Sequence, residues 1–197
     1  MSRPCLALFG TSADPPTAGH RALLAGLADH YGQVATWASD NPLKQHGAPL
    51  TVRAQLLQAL VEELGDPRVQ LVQALSSPRA LHTVERAAQR WPQHELVFVV
   101  GGDLAEQLPR WYRAAELLER CRLAVVPRQG FRLDPAALNA IRALGGQPEL
   151  VELTVPATAS SAIRQHPSPE LVPAGLWAEL VKHNLYGLGT RGSSPSP

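Results

Sequence analysis

The stretch that most restricts this chain lies at its start. An uninterrupted apolar run, Cys5-Leu6-Ala7-Leu8-Phe9, breaks into Gly10-Thr11-Ser12-Ala13-Asp14-Pro15-Pro16-Thr17-Ala18-Gly19-His20 and reopens as an amphipathic segment. A run with no polar alternation reads as a strand buried on both faces, which parallel sheets with helices on either side provide. The small, polar turn after it aims backbone N–H groups and the next helix N-terminus at one spot, where partial positive charge stabilises an anion. Thr17 and His20, three residues apart, face that spot.

The rest of the chain repeats the alternation. A helix is expected over 18–31, with Leu23, Leu24, Leu27 and Ala28 on one stripe and Gly32 as its stop. A strand over 33–38 follows, then a polar loop with Asn41, Lys44 and His46, and a helix capped by Thr51, striped by Val52, Leu56, Leu60 and Leu64 and ended by Gly65. A strand over 68–72 leads to a helix with Leu81, Val84, Ala88 and Trp91 on one face. The run Glu95-Leu96-Val97-Phe98-Val99-Val100 then enters Gly101-Gly102-Asp103, where backbone can approach a ligand beside a carboxylate. A helix with Leu117 and Leu118, a strand over 122–126, a helix opened by Asp134-Pro135 with Leu138, Ile141 and Leu144 inward, and a weaker strand over 150–153 complete the alternation. The last helix starts at Pro173, with Leu176, Trp177, Leu180 and Val181 inward. The expected fold class is α/β: a Rossmann-like, doubly wound, mostly parallel sheet with helices on both faces. At 197 residues it reads as one domain over 1–186 plus a flexible tail over 187–197.

Charge excludes some partners. With 18 Lys and Arg against 17 Asp and Glu, no global field favours nucleic acid or an anionic membrane surface. No leader-like or membrane-length apolar segment stands out, and Cys5 and Cys121 open strand-like runs where reduced thiols are common, so a soluble, cytoplasmic protein is expected. His30, His82, His94, His166 and His183 show no metal-ligand spacing, and no protein-held metal site is expected.

Gly10-Thr11-Ser12 alone is a weak phosphate signal and matches neither the dinucleotide-binding nor the P-loop pattern. The longer stretch from Asp14 to His20, however, resembles the first signature of the H/T-x-G-H nucleotidyltransferases, and Ser160-Ser161-Ala162-Ile163-Arg164 resembles their second, ISSTxIR. Over nearly the whole chain the resemblance is to nicotinate-nucleotide adenylyltransferases. Gly101-Gly102-Asp103 followed by Trp111 is similar to their G-x-D…W segment, Arg128-Gln129-Gly130 to their R-x-G turn, and Val172-Pro173 with Leu185-Tyr186 to their C-terminal helix. The chain departs from the pattern at Thr17, where the family usually has His, and at Thr158 and Ala159; residues 79–83 lack the Tyr-Thr pair common near the pyridine carboxylate.

The resemblance implies transfer of AMP from ATP to nicotinate mononucleotide, giving deamido-NAD and pyrophosphate, with Mg²⁺ accompanying ATP. It implies phosphate binding by Gly10, Thr11, Ser12, Gly19 and Thr17, a hydrogen bond from His20 to the α-phosphate, and triphosphate contacts from Ser160, Ser161 and Arg164. Asn41, Lys44, His46, Gly102, Asp103, Trp111 and Arg128 fall to the mononucleotide and its ribose. Each has a plainer alternative: a surface helix histidine for His20, a helix N-cap for Asp103, a core or rim aromatic for Trp111, solvated loop charges for Lys44, His46 and Arg128. Nicotinamide mononucleotide and phosphopantetheine stay open as acceptors, as do a non-catalytic nucleotide sensor and a homo-oligomeric state.

Overall fold

The computed structural model describes residues 3–40, 45–127, 133–156 and 160–190. Six strands, β1 (Cys5–Thr11), β2 (Val34–Ala38), β3 (Val69–Leu71), β4 (Glu95–Gly101), β5 (Arg122–Val126) and β6 (Pro148–Leu150), form one sheet in the order β3-β2-β1-β4-β5-β6. Every pairing is parallel. The helices of the described residues are α1 (Ala18–Tyr31), α2 (Leu50–Leu64), α3 (Ala80–Arg90), α4 (Gly102–Ala105), α5 (Ala114–Arg120), α6 (Pro135–Ala143), α7 (Ser160–Gln165) and α8 (Ala174–Lys182). This is the doubly wound α/β architecture expected from the alternation.

Period-two side-chain alternation divides the core. Ala7 joins Leu24, Leu27, Leu56, Leu60, Leu176 and Leu180 on the face covered by α1, α2 and α8. Leu6 and Leu8 join Trp37, Leu81, Val84, Phe98, Leu117 and Ile141 on the face covered by α3, α5 and α6. Both faces of β1 are therefore dry, which is why its sequence carries no polar alternation.

Helix ends follow local chemistry closely. α1 stops at Gly32 and α2 at Gly65, both left-handed (φ 82° and 66°). Asp134 caps α6, accepting the Ala136 N–H at 2.8 Å, with Pro135 as first helical residue.

Other details move. Thr51 lies inside α2, which starts at Leu50 behind Pro49 without a side-chain cap. The buried stripe of α2 is Arg53, Leu56, Leu57, Leu60 and Val61, so a cation sits where only apolar residues were expected. In α3 the inward residue is Ala87 and Ala88 is exposed, because the helix phase follows Thr83 and Val84. Val181 of α8 is 47% exposed. The last strand is 148–150, since its register against Leu123, Ala124 and Val125 is set by those carbonyls and amides rather than by hydropathy. Beyond Tyr186, a 3₁₀ segment (Leu185–Thr190) continues, and Leu188 packs on the first core; residues 191–197 lie outside the described residues.

Candidate active site

Strand order reverses direction between β1 and β4, and in open parallel sheets the crevice beyond the strand C-termini at that point binds ligands. A cavity of about 640 Å³ lies there, walled by the turns after β1, β2, β4 and β5 and by α7. Two glycines make the close approaches. A Cβ on Gly10 would stand 2.6 Å from the Trp37 ring, and one on Gly19 2.9 Å from the Pro156 carbonyl oxygen. The cavity therefore brings together Gly10, Thr11, Ser12, Thr17, Gly19, His20, His46, Asp103, Ser160, Ser161 and Arg164 from positions spread over the whole chain.

His20 sits at the third position of α1 in a capping box with Thr17. Its Nδ1 faces the Thr17 N–H at 3.1 Å and the Thr17 hydroxyl at 2.9 Å; its Nε2 lies 2.9 Å from Thr11 Oγ1. A main-chain N–H can only donate, so Nδ1 is the acceptor and the neutral ring carries its proton on Nε2. That proton is aimed at Thr11 Oγ1, itself on the cavity wall. Thr17 is fully buried, and its hydroxyl, expected on phosphate, contacts His20. Thr11 Oγ1 also receives the Ala13 N–H at 3.4 Å, leaving its own O–H to donate.

Asp14 is the hub the sequence reading passed over. It is 2% exposed; Oδ2 accepts the Gly47 N–H at 2.6 Å and Oδ1 the Tyr186 hydroxyl at 2.7 Å. Arg164 Nη1 donates to the Asp14 carbonyl at 2.6 Å, and His46 Nδ1 lies 3.8 Å from Oδ2. Burial, then the bond to Asp14, pushes the Tyr186 phenol well above its ordinary range, so it stays a proton donor. Ser160 ties α7 to the same turn through a 2.8 Å bond to the Pro15 carbonyl.

Arg53 was also missed. It is 1% exposed and donates to three carbonyls: Ser12 at 2.6 Å, Ser39 at 2.8 Å and Ala48 at 3.1 Å. Burial lowers its pKa, while Asp14 and Asp40 oppose that shift. The guanidinium thus pins the turn after β1, the end of β2 and the loop before α2 to one point. An arginine in step with Leu56, Leu57 and Leu60 was the available signal.

Remaining expectations divide. Asp103 stands at the cavity wall, and the cap of α4 is Gly101 rather than Asp103. Gly102 is buried at the start of α4. Trp111 packs edge-on to Phe98, centroids 6.3 Å apart, at the border of the second core. Asn41, Lys44 and Arg128 lie outside the described residues. A second depression, about 670 Å³, sits at the opposite sheet edge, where two of its three arginines are paired: Arg122 with Glu95 (3.1 Å) and Glu149 (2.8 Å), Arg120 with Glu116 (2.9 Å). Burial pushes the Cys121 thiol there up to about 12, which disfavours thiolate chemistry.

Comparison with known proteins bears on the family and the fold. Residues 8–166 match the cytidylyltransferase-like family model. The chain is 40% identical over 196 residues to a probable nicotinate-nucleotide adenylyltransferase of Synechocystis sp., covering 92% of this chain and 98% of the relative. It is 26% identical over 136 residues to the nicotinate-nucleotide adenylyltransferase of Bacillus subtilis, covering 66% and 72%. The fold is similar to that of Plasmodium falciparum nicotinic acid mononucleotide adenylyltransferase complexed with NaAD, at a TM-score of 0.74 and 15% identity over 93% of this chain and 97% of that one.

Proposed function

The chain belongs to the cytidylyltransferase-like family and, within it, to the nicotinate-nucleotide adenylyltransferases, and we propose that the cavity at the β1/β4 switch point carries out their reaction with His20 as its central donor. The activity is transfer of AMP from ATP to nicotinate mononucleotide, a step of NAD biosynthesis. A mononucleotide phosphate oxygen attacks the α-phosphorus, and the bond from that phosphorus to the bridging oxygen breaks, releasing pyrophosphate. The nucleophile is an anion at neutral pH, so no general base is needed; catalysis is positioning and charge stabilisation.

The orientation of His20 carries this reading. Nδ1 accepts from Thr17, which fixes the ring and aims Nε2–H at Thr11 Oγ1 on the cavity wall, so a short shift of that one bond presents the donor to a phosphate oxygen. His20 donates to the α-phosphate, assisted by the Thr11 hydroxyl in the Gly10-Thr11-Ser12 turn. Thr17 acts through His20 as a positioning residue. Gly19 lets α1 approach the Pro156 backbone beside the phosphates, and Ser160, Ser161 and Arg164 serve the triphosphate from α7. Asp103 accepts from a ribose hydroxyl across the cavity. His46, Asn41, Lys44, Gly102 and Arg128 belong to the mononucleotide side.

Nucleotidyltransferases generally use Mg²⁺, and the donor set here fits an ion that arrives on ATP. Among the described residues no three His, Cys, Asp or Glu side chains are grouped to hold a metal, and Asp14 already accepts two hydrogen bonds. Mg²⁺ prefers phosphate oxygens and water over an all-protein cage, and when bound it neutralises charge on the triphosphate. No described helix is long and apolar enough to cross a membrane, and we assign the reaction to the cytoplasm.

Pyrophosphate release tests this directly. With MgATP, kcat/KM is expected to be highest for nicotinate mononucleotide, lower for nicotinamide mononucleotide and negligible for phosphopantetheine; no release with any acceptor would leave a nucleotide sensor. For the pyridine ring, Trp111→Ala is expected to raise the mononucleotide KM about tenfold, from lost aromatic contact, with ATP KM unchanged. An unchanged mononucleotide KM would confine Trp111 to packing on Phe98.

A further inference from the structure

Arg164 stands beside one buried anion, Asp14. Its guanidinium donates to the Asp14 carbonyl, and Nη1 lies 3.8 Å from Asp14 Oδ2, outside hydrogen-bond reach. A buried carboxylate at that distance attracts the arginine, and a shorter, direct pair would turn it away from any ligand. Two other donors occupy the carboxylate: the Gly47 N–H on Oδ2 and the Tyr186 hydroxyl on Oδ1.

Tyr186 is held in place by more than that bond. Its backbone is left-handed (φ 54°, ψ 30°), which an aromatic residue seldom adopts unless its surroundings enforce it. Its ring lies over Gly47, where a Cβ would be 2.9 Å from the Tyr186 ring and 3.0 Å from Arg164 Cδ. The glycine thus leaves room for the aromatic ring and the arginine stem to meet at Asp14.

We propose that Tyr186 is a positioning residue for adenylyl transfer: by donating to Asp14 Oδ1 it fixes the carboxylate so that Oδ2, already bonded to Gly47, stays 3.8 Å from Arg164 Nη1, and the remaining N–H groups of Arg164 are left for the triphosphate. The proposal rests on the assignment of Arg164 to ATP phosphate. Tyr186 itself touches no substrate and acts entirely through Asp14 and Arg164.

Tyr186→Phe keeps the ring over Gly47 and removes only the hydroxyl. In steady-state assays of pyrophosphate release, it is expected to raise the KM for MgATP about fivefold to tenfold, with the mononucleotide KM unchanged and kcat within about threefold. Arg164→Ala is expected to raise the ATP KM at least as much, and the double variant to be no worse than Arg164→Ala alone. A urea midpoint for each variant separates these changes from loss of fold. If Arg164→Ala raises the ATP KM and Tyr186→Phe does not, the proposal fails while the triphosphate assignment stands. If Arg164→Ala leaves the ATP KM unchanged, the assignment itself fails and takes the proposal with it. Additive effects in the double variant would overturn action through Arg164.

Discussion

Alanine at position 20 is expected to lower kcat by about 10²-fold or more, as for other preorganised donors, while the protein stays folded. The ring supplies the Nε2–H beside Thr11, and its Nδ1 takes the Thr17 N–H. Losing the second contact weakens one helix cap, a cost of about 1 kcal/mol, small beside the ~5–15 kcal/mol of a typical domain. The two effects separate in experiment: single-turnover rates report the chemistry, and a urea titration reports the cap. Turnover close to that of the unaltered enzyme would remove His20 from the mechanism.

Arg53→Ala is expected to be the most damaging substitution for stability, by about 3–5 kcal/mol, because it strips a charged donor from three carbonyls and opens a void in a dry face. Those carbonyls belong to Ser12, Ser39 and Ala48, so the loss reaches the turn after β1 directly. Activity should fall together with the urea midpoint. Arg53→Lys should recover only part of either, since one ammonium cannot reproduce a planar fork aimed at separate oxygens. A midpoint shift corresponding to less than about 1 kcal/mol for Arg53→Ala would show that water replaces the guanidinium.

Much of the fold was legible because local chemistry agreed with tertiary packing. The bounds of α1, its glycine stop and the Asp134-Pro135 start of α6 follow from capping preferences that the surroundings do not oppose. β6 was misplaced because a short edge strand takes its register from the neighbouring backbone. Ala88 and Val181 were placed inward by a spacing that the helices do not keep around the turn. In the site, His20, Ser160 and Arg164 could be found because their motifs lie in contiguous stretches. Arg53 left only its place in the apolar stripe of α2 as a signal, and Asp14, Gly47 and Tyr186 left none, since their roles exist only where distant loops meet: nothing near Asp14 in sequence says that a tyrosine far along the chain will satisfy it. Thr17 was recognised as part of the motif but placed on phosphate; its burial beneath His20 depends on how the turn folds over it.

The bonds that close the turn after β1 span long stretches of chain: 145 positions from Ser160 to Pro15, 150 from Arg164 to Asp14 and 172 from Tyr186 to Asp14. A ribosome adds roughly 5–20 residues per second, so roughly 10–30 s separate synthesis of the first half of the site from arrival of the second. During that interval the growing polypeptide gains His20 and most of the sheet, while the side chains that we propose serve the triphosphate are still to come. Assembly of the proposed site thus waits until Ser160, Arg164 and Tyr186 have been made. By the same geometry, a single proteolytic cut between residues 160 and 186 would break the covalent path from Tyr186 to Asp14 without touching any residue near the first motif.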